Sequence, residues 1–169
     1  MVEIKTQRLT VRPFEFDDAA FILRLLNEPS FVKNVVDKGV RNLEDARTYL
    51  REGPMTSHGR FGFGLWRVGL LENGVPIGMA GLVKRDYLDD IDIGYALLPE
   101  YCGAGYAFEA TSAIMDYARE SLAARRVLAI VNESNVASIR LLGKLSFKAD
   151  GMVRIPGVEN EVQLFAWTK

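Results

Sequence analysis

The chain has 169 residues, 49% hydrophobic and 25% charged, with a formal net charge of −1. That length suits one domain over residues 1–169 with a core of its own, and the balanced charge offers no basic excess for nonspecific nucleic-acid binding. A single cysteine, Cys102, excludes a disulfide framework and a cysteine zinc cluster, and a single histidine, His58, excludes a multi-histidine metal site, so no metal is expected.

The opening MVEIKTQRLTVR has no apolar run like a signal peptide. No apolar run approaches the roughly 20 residues that cross a bilayer, so a cytoplasmic protein with no membrane partner is expected. LTVRPF (9–14) alternates Leu9 and Val11 against Thr10 and Arg12 and reads as a strand, with Pro13 near its end. DDAAFILRLLNEP (17–29) reads as a helix with Asp17 as N-cap and Pro29 beyond its end. LEDARTYLREGP (43–54) reads as a second helix, closed by Gly53 and Pro54. Ser57 to Arg60 reads as a surface loop, with a substrate role for His58 as the alternative. Asn73-Gly74 is a strong hairpin signal. It joins a strand near 62–71 to one near 75–85, and a turn around Asp89-Asp90 leads to IDIGYALL (91–98). EATSAIMDYARESL (109–122) is helical, RVLAIV (126–131) a strand, VASIRLLGKLSF (136–147) a helix, SFKADG leads into a strand, and EVQLFAWTK (161–169) is the last strand. Trp66, Phe61, Phe63 and Trp167 read as core. A meander followed by βαβ-like units gives a mixed α/β domain.

PEYCGAGYAFEA (99–110) places Gly103 and Gly105 between a strand and a helix start, where Ser, Asp or Asn would ordinarily cap. Such a loop is either a turn needing positive φ or a cradle whose bare amides meet an anion. Each amide bonded to a phosphate contributes about 1.5–3 kcal/mol. A P-loop is excluded because Gly105 precedes Tyr106 rather than Lys. A dinucleotide fingerprint fails because Phe108 stands where the third glycine belongs and the preceding strand belongs to an antiparallel meander.

Three blocks, TQRLTVRPFEFDDA (6–19), IDIGYALLPEYCGAGYAFEA (91–110) and VNESNVASIRLLGKLSFKADG (131–151), resemble the GNAT superfamily of N-acetyltransferases, and most closely its RimJ/RimL-type ribosomal-protein N-terminal acetyltransferase branch. The resemblance covers nearly the whole chain. It implies an α/β GNAT fold: a mixed, mostly antiparallel sheet of about seven strands, flanked by about four helices, with strands four and five splayed apart. It implies acetyl-CoA as cosubstrate and direct attack of a primary amine on the thioester, in a ternary complex. The acceptor would be a protein N-terminus or a small amine.

In that family the pantetheine arm lies in the splay. The resemblance places it here on Tyr95, Ala96, Leu97 and Leu98, with the diphosphate on the amides of Gly103, Ala104, Gly105, Tyr106 and Ala107. An amide near Leu97 or Leu98 would polarise the thioester carbonyl. Asn135, from an Asn-x-x-Ser motif, would bond the cofactor arm. Many members carry a tyrosine in the helix after strand five as the acid. This chain has none over 136–145; the resemblance assigns Ser138 to the sulfur, the alternative being a plain first-turn hydroxyl of the helix. Asp92 matches a commonly acidic position: either a base or amine anchor, with a raised pKa as its signature, or a solvated strand-face carboxylate. Glu100 departs from the superfamily's Gln/Arg and cannot donate to phosphate, so binding rests on amides. Ser146 stands where a glycine is usual. Cys102 has no covalent task in direct transfer. Arg125 and Arg126 read as a solvated pair or as partners of the nucleotide's 3′-phosphate, and Tyr87, Asp89 and Asp90 as a turn or an acidic wall. A regulatory CoA-binding domain without turnover is the competing expectation, a nicotinamide-dependent protein a more distant one. Exposed C-terminal edge strands would permit a homodimer.

Overall fold

A computed structural model describes residues 2–169. Its frame is an eight-stranded sheet: β1 (Ile4–Lys5), β2 (Leu9–Pro13), β3 (Leu65–Leu70), β4 (Pro76–Val83), β5 (Asp92–Leu97), β6 (Arg126–Val131), β7 (Lys148–Val153) and β8 (Val162–Thr168). The spatial order is β1-β2-β3-β4-β5-β6-β8-β7, antiparallel throughout except for the parallel pair β5·β6. The β3–β4 hairpin forms where Asn73-Gly74 predicts it. Gly74 takes φ +72° and the Asn73 side chain accepts from the Val75 amide at 3.0 Å.

The helices are α1 (Ala19–Leu26), α2 (Pro29–Asn34), α3 (Leu43–Leu50), α4 (Thr56–Phe61), α5 (Tyr106–Glu120) and α6 (Val136–Lys144). Each sheet face has its own core. On one, α1 and α3 contribute Ile22, Leu25, Leu26, Ala46 and Leu50 against Met79 and Leu98. On the other, Ala110, Ile114, Met115 and Ala118 of α5 and Leu142 of α6 pack against Trp66, Ala80, Ile93 and Val127. Asp18 sits beneath α1 in a bidentate pair with Arg12 (2.8 and 2.9 Å) and 3.1 Å from Nε of the buried Arg67, tying the helix entry to β2 and β3.

Four readings of the elements change. The sheet has eight strands, because Ile4–Lys5 pairs with Thr10–Val11; two residues are too short to show a period. The N-cap of α1 is Asp18 and not Asp17, which lies within a 3-10 turn, Phe16–Asp18; Pro29 lies beyond the end of α1 as expected and also opens α2, since a proline lacks only an amide that position leaves unbonded. Gly53 and Pro54 do not close α3: a π-helical segment, Arg51–Met55, carries the chain into α4. His58 therefore lies on a helix and not in a surface loop. It is buried, its ring edge-on to Trp66 at 4.7 Å and its Nε2 3.2 Å from the Leu65 carbonyl. Trp66 and Trp167 are core as expected, whereas Phe61 is 39% exposed and stacks on Phe63 at the rim.

Burial holds the His58 imidazole below its ordinary pKa of 6.5, against an opposing contribution from the Leu65 carbonyl. The unfolded chain thus binds this proton more tightly than the fold does. Stability is then fully present above about 6.5 and is lost as pH falls below it towards the folded-state value. In urea titrations between about pH 7.5 and about pH 5.5, wild type is expected to lose stability and His58→Phe to lose much less. Parallel pH dependence in both proteins would contradict this.

Candidate active site

β5 and β6 are bridged at one register pair, Asp92↔Leu128, and then part. The Leu128 amide donates to the Ile91 carbonyl at 2.9 Å, and towards Leu97 β5 keeps only β4 as a partner. Backbone groups alternate sides along a strand. The Leu98 amide donates to the Ile77 carbonyl of β4 at 2.8 Å, so Leu98 and Ala96 turn their amides to β4, while Tyr95 and Leu97 turn theirs into the gap. The expected run from Tyr95 to Leu98 thus divides. Leu97 stays a candidate for polarising a carbonyl and Leu98 does not, its amide being engaged.

Side chains alternate across the sheet in the same way. Tyr95 and Leu97 lie on the α5–α6 face, Ala96 and Leu98 on the α1–α3 face. Tyr95 Oη is buried without a hydrogen-bond partner among the described residues. Its polar neighbour is Ser138 in the first turn of α6, close enough to favour the phenolate but off hydrogen-bonding geometry; burial outweighs it and raises the phenol. Asn135 caps α6, its Oδ1 accepting from the Ser138 amide at 3.2 Å. On the other face Asp92 is 1% exposed, correcting any reading of it as a solvated carboxylate. Arg85 Nε meets both of its oxygens, at 2.9 and 3.1 Å. Burial raises the Asp92 carboxyl above its ordinary range, and the Arg85 charge opposes the rise.

At the far end of β5 a 3-10 turn, Pro99–Tyr101, leads to the glycine loop. Gly103 and Gly105 take φ +82° and +85°, both left-handed, which explains the two glycines. Gly105 is the N-cap of α5 and no side chain caps it. The first intrahelical bond runs from the Glu109 amide to the Gly105 carbonyl, so the amides of Tyr106, Ala107 and Phe108 have no helical acceptor. Residues Cys102 to Gly105 are exposed. A Cβ on Gly103 would meet nothing within 4 Å, so the loop has open space before it.

Residues 8–148 match the family described as the acetyltransferase (GNAT) domain. The chain belongs to the GNAT family of N-acetyltransferases. An uncharacterised N-acetyltransferase, p20 of Bacillus licheniformis, is 29% identical over 156 residues, 91% of this chain and 86% of its own. YnaD of Bacillus subtilis strain 168, likewise an uncharacterised N-acetyltransferase, is 26% identical over 153 residues, 90% and 86% of the two chains. In fold, the chain matches RimL, a ribosomal L7/L12 alpha-N-protein acetyltransferase solved in complex with coenzyme A. The TM-score is 0.84 over 99% of this chain and 98% of that one, at 17% identity.

In this GNAT enzyme the residues singled out in the sequence gather along the β5–β6 gap and the loop beyond it. Others lie apart. Arg126 bridges Asp90 and Asp150. Glu100 pairs with Arg24 at 2.6 Å. Although Cys102 is exposed, partial desolvation and the Glu100 charge raise its thiol, which keeps it protonated beside a helix start that could have acidified it. Ser146 takes φ +66°, left-handed, where the family's glycine would sit without strain. Three site-adjacent residues had no sequence signal as such: Arg85 on Asp92, and the pair Arg8 and Glu109 behind the glycine loop. Among the described residues no group of three or more His, Cys, Asp or Glu side chains could hold a metal ion, and no helix is long and apolar enough to cross a membrane.

Proposed function

We propose that this enzyme transfers the acetyl group of acetyl-CoA to a primary amine by direct attack in a ternary complex. One observation carries the reading: the gap between β5 and β6 opens at Asp92 and leads along β5 to a glycine loop and an uncapped helix start. The residues present fit the cosubstrate. The left-handed glycines bare the amides of Gly103 to Ala107 for a diphosphate, the amides of Tyr95 and Leu97 face the gap for the pantetheine, and the orphaned Tyr95 hydroxyl gives the gap a polar wall. Acetyl-CoA would supply the thioester.

The chain's own groups divide the work between two faces. Ser138 and Tyr95 line the α6 face, where the Ser138 hydroxyl would donate to the departing sulfur. Asn135 has spent its Oδ1 on the cap, which leaves its Nδ2 to donate to the arm. Asp92 and Arg85 lie on the opposite face, so the amine would enter from the α1–α3 side, where Asp92 would hold it and take its proton. A backbone donor at Leu97 would stabilise charge on the carbonyl oxygen. The acceptor would be a protein N-terminus, as the RimJ/RimL-like blocks and the activity of RimL suggest, or a small amine.

Thermal melting with acetyl-CoA, NAD or ATP, followed by an amine panel, tests this. A stabilisation of several degrees by acetyl-CoA alone at concentrations well above Kd is expected, with turnover of at least one amine. No stabilisation would remove the loop assignment. Binding without turnover on N-terminal peptides, polyamines, amino acids and aminoglycosides would turn the reading into a regulatory CoA-binding domain.

A further inference from the structure

Behind the glycine loop lies a knot that the transfer reaction as described does not use. The Glu109 carboxylate, in the first turn of α5, accepts from Thr6 Oγ1 at 2.6 Å, from the Arg8 amide at 2.7 Å and from Arg8 Nε at 2.7 Å. Burial would raise this carboxyl, but the bonds from Thr6 and Arg8 outweigh it and hold it below its ordinary range. Arg8 also lies over the Tyr106 ring, 4.5 Å from its centroid, and its Nη1 donates to the Ala104 carbonyl at 3.0 Å. Arg8 comes from the β1–β2 turn, across 101 residues of sequence from Glu109.

A trans peptide is planar, with its carbonyl and its amide hydrogen pointing in opposite directions. Turning the Ala104 carbonyl towards Arg8 therefore turns the Gly105 amide away from the β1–β2 turn. In the sheet order that is the side on which the β5–β6 gap lies. We propose that Arg8 is a positioning residue for the diphosphate: anchored by Glu109 and Thr6, it holds the Ala104 carbonyl and so aims the Gly105 amide at the phosphate. This rests on the reading of the loop as the diphosphate site. Arg8 acts through the backbone and not by touching the phosphates.

The test compares acetyl-CoA, acetyl-3′-dephospho-CoA and acetyl-pantetheine, which lacks the diphosphate, on wild type, Arg8→Met and Glu109→Gln. Arg8→Met is expected to weaken acetyl-CoA about ten- to a hundredfold, the loss of one amide bond to a charged acceptor. The same loss is expected with acetyl-3′-dephospho-CoA, and kcat/KM for acetyl-pantetheine should change by less than about twofold. A loss that disappears with the dephospho compound would make Arg8 a direct 3′-phosphate ligand and overturn the proposal. An equal loss on acetyl-pantetheine would make the knot merely structural and also overturn it. Glu109→Gln gives a sign. Removing a negative charge near a diphosphate tightens binding if charge alone matters, whereas releasing Arg8 weakens it if position matters, and the proposal requires weakening. This variant keeps an amide in place of the carboxylate and decides the matter if Arg8→Met fails to fold. If wild type itself favours acetyl-CoA no more than acetyl-pantetheine, the diphosphate reading of the loop fails, independently of Arg8.

Discussion

Gly105→Val is expected to weaken acetyl-CoA binding by about two orders of magnitude or more while leaving the enzyme folded. Two effects add. Gly105 has φ +85°, and a β-branched residue in the left-handed region costs on the order of 1–3 kcal/mol. The new Cβ would also lie 3.3 Å from Arg8 Nη2, tight enough to disturb the guanidinium that holds the Ala104 carbonyl. The loop can relieve both only by abandoning its left-handed turn, and the amides of Gly105, Tyr106 and Ala107 then lose their common direction. The fold itself should survive, since the loop is exposed and contributes no side chain to either core. Gly157→Val is the control: Gly157 has φ +80° and open space around its Cβ position, in the segment between β7 and β8. It should show similar strain in melting and no loss of acetyl-CoA affinity by calorimetry. Undiminished affinity in Gly105→Val would mean that the loop is a turn and nothing more.

What was legible in the sequence was what local chemistry determines. Asn73-Gly74 specifies a hairpin whatever surrounds it, and two glycines at a helix start specify left-handed turns or a bare-amide cradle. The blocks that resemble the GNAT family carried the fold and the parting of β5 from β6, along which the proposed site lies. What escaped depended on partners distant in sequence or on local signals with two meanings. Pro29 suits the end of one helix and the first turn of the next equally, and Pro54 reads as a stop unless the neighbouring segment winds as a π-helix. His58 is polar and flanked by Ser57 and Gly59, so nothing local announces that Trp66 will cover its ring. The Arg8–Glu109 pair and the Arg85–Asp92 pair exist only once the sheet is assembled. The division between Tyr95 and Leu97 on one side and Ala96 and Leu98 on the other follows from the β4 register, which periodicity alone does not fix.

Asp92→Asn is expected to lower kcat by about a hundred- to a thousandfold, in the range of a lost acid–base group, with acetyl-CoA affinity little changed. The residue sits where the strands part, so in the proposed reaction it would face the amine without belonging to the diphosphate cradle. It must be ionised to take a proton from the amine. Burial disfavours the ionised form and raises its pKa, so activity should climb with pH along a limb lying above the ordinary carboxylate range. Asn cannot titrate, and the limb should vanish with the rate. Arg85 supplies an independent sign. Its charge and its hydrogen bonds to Asp92 both act to lower the carboxyl's pKa. Arg85→Gln removes the charge, so the carboxyl should rise further and the limb should move to higher pH, with the plateau rate retained more fully than in Asp92→Asn. Profiles of kcat against pH for the three proteins check this. If Asp92→Asn keeps the wild-type rate, or if Arg85→Gln leaves the limb in place, the proton goes elsewhere and the Arg85–Asp92 pair serves only to fasten the mouth of the gap.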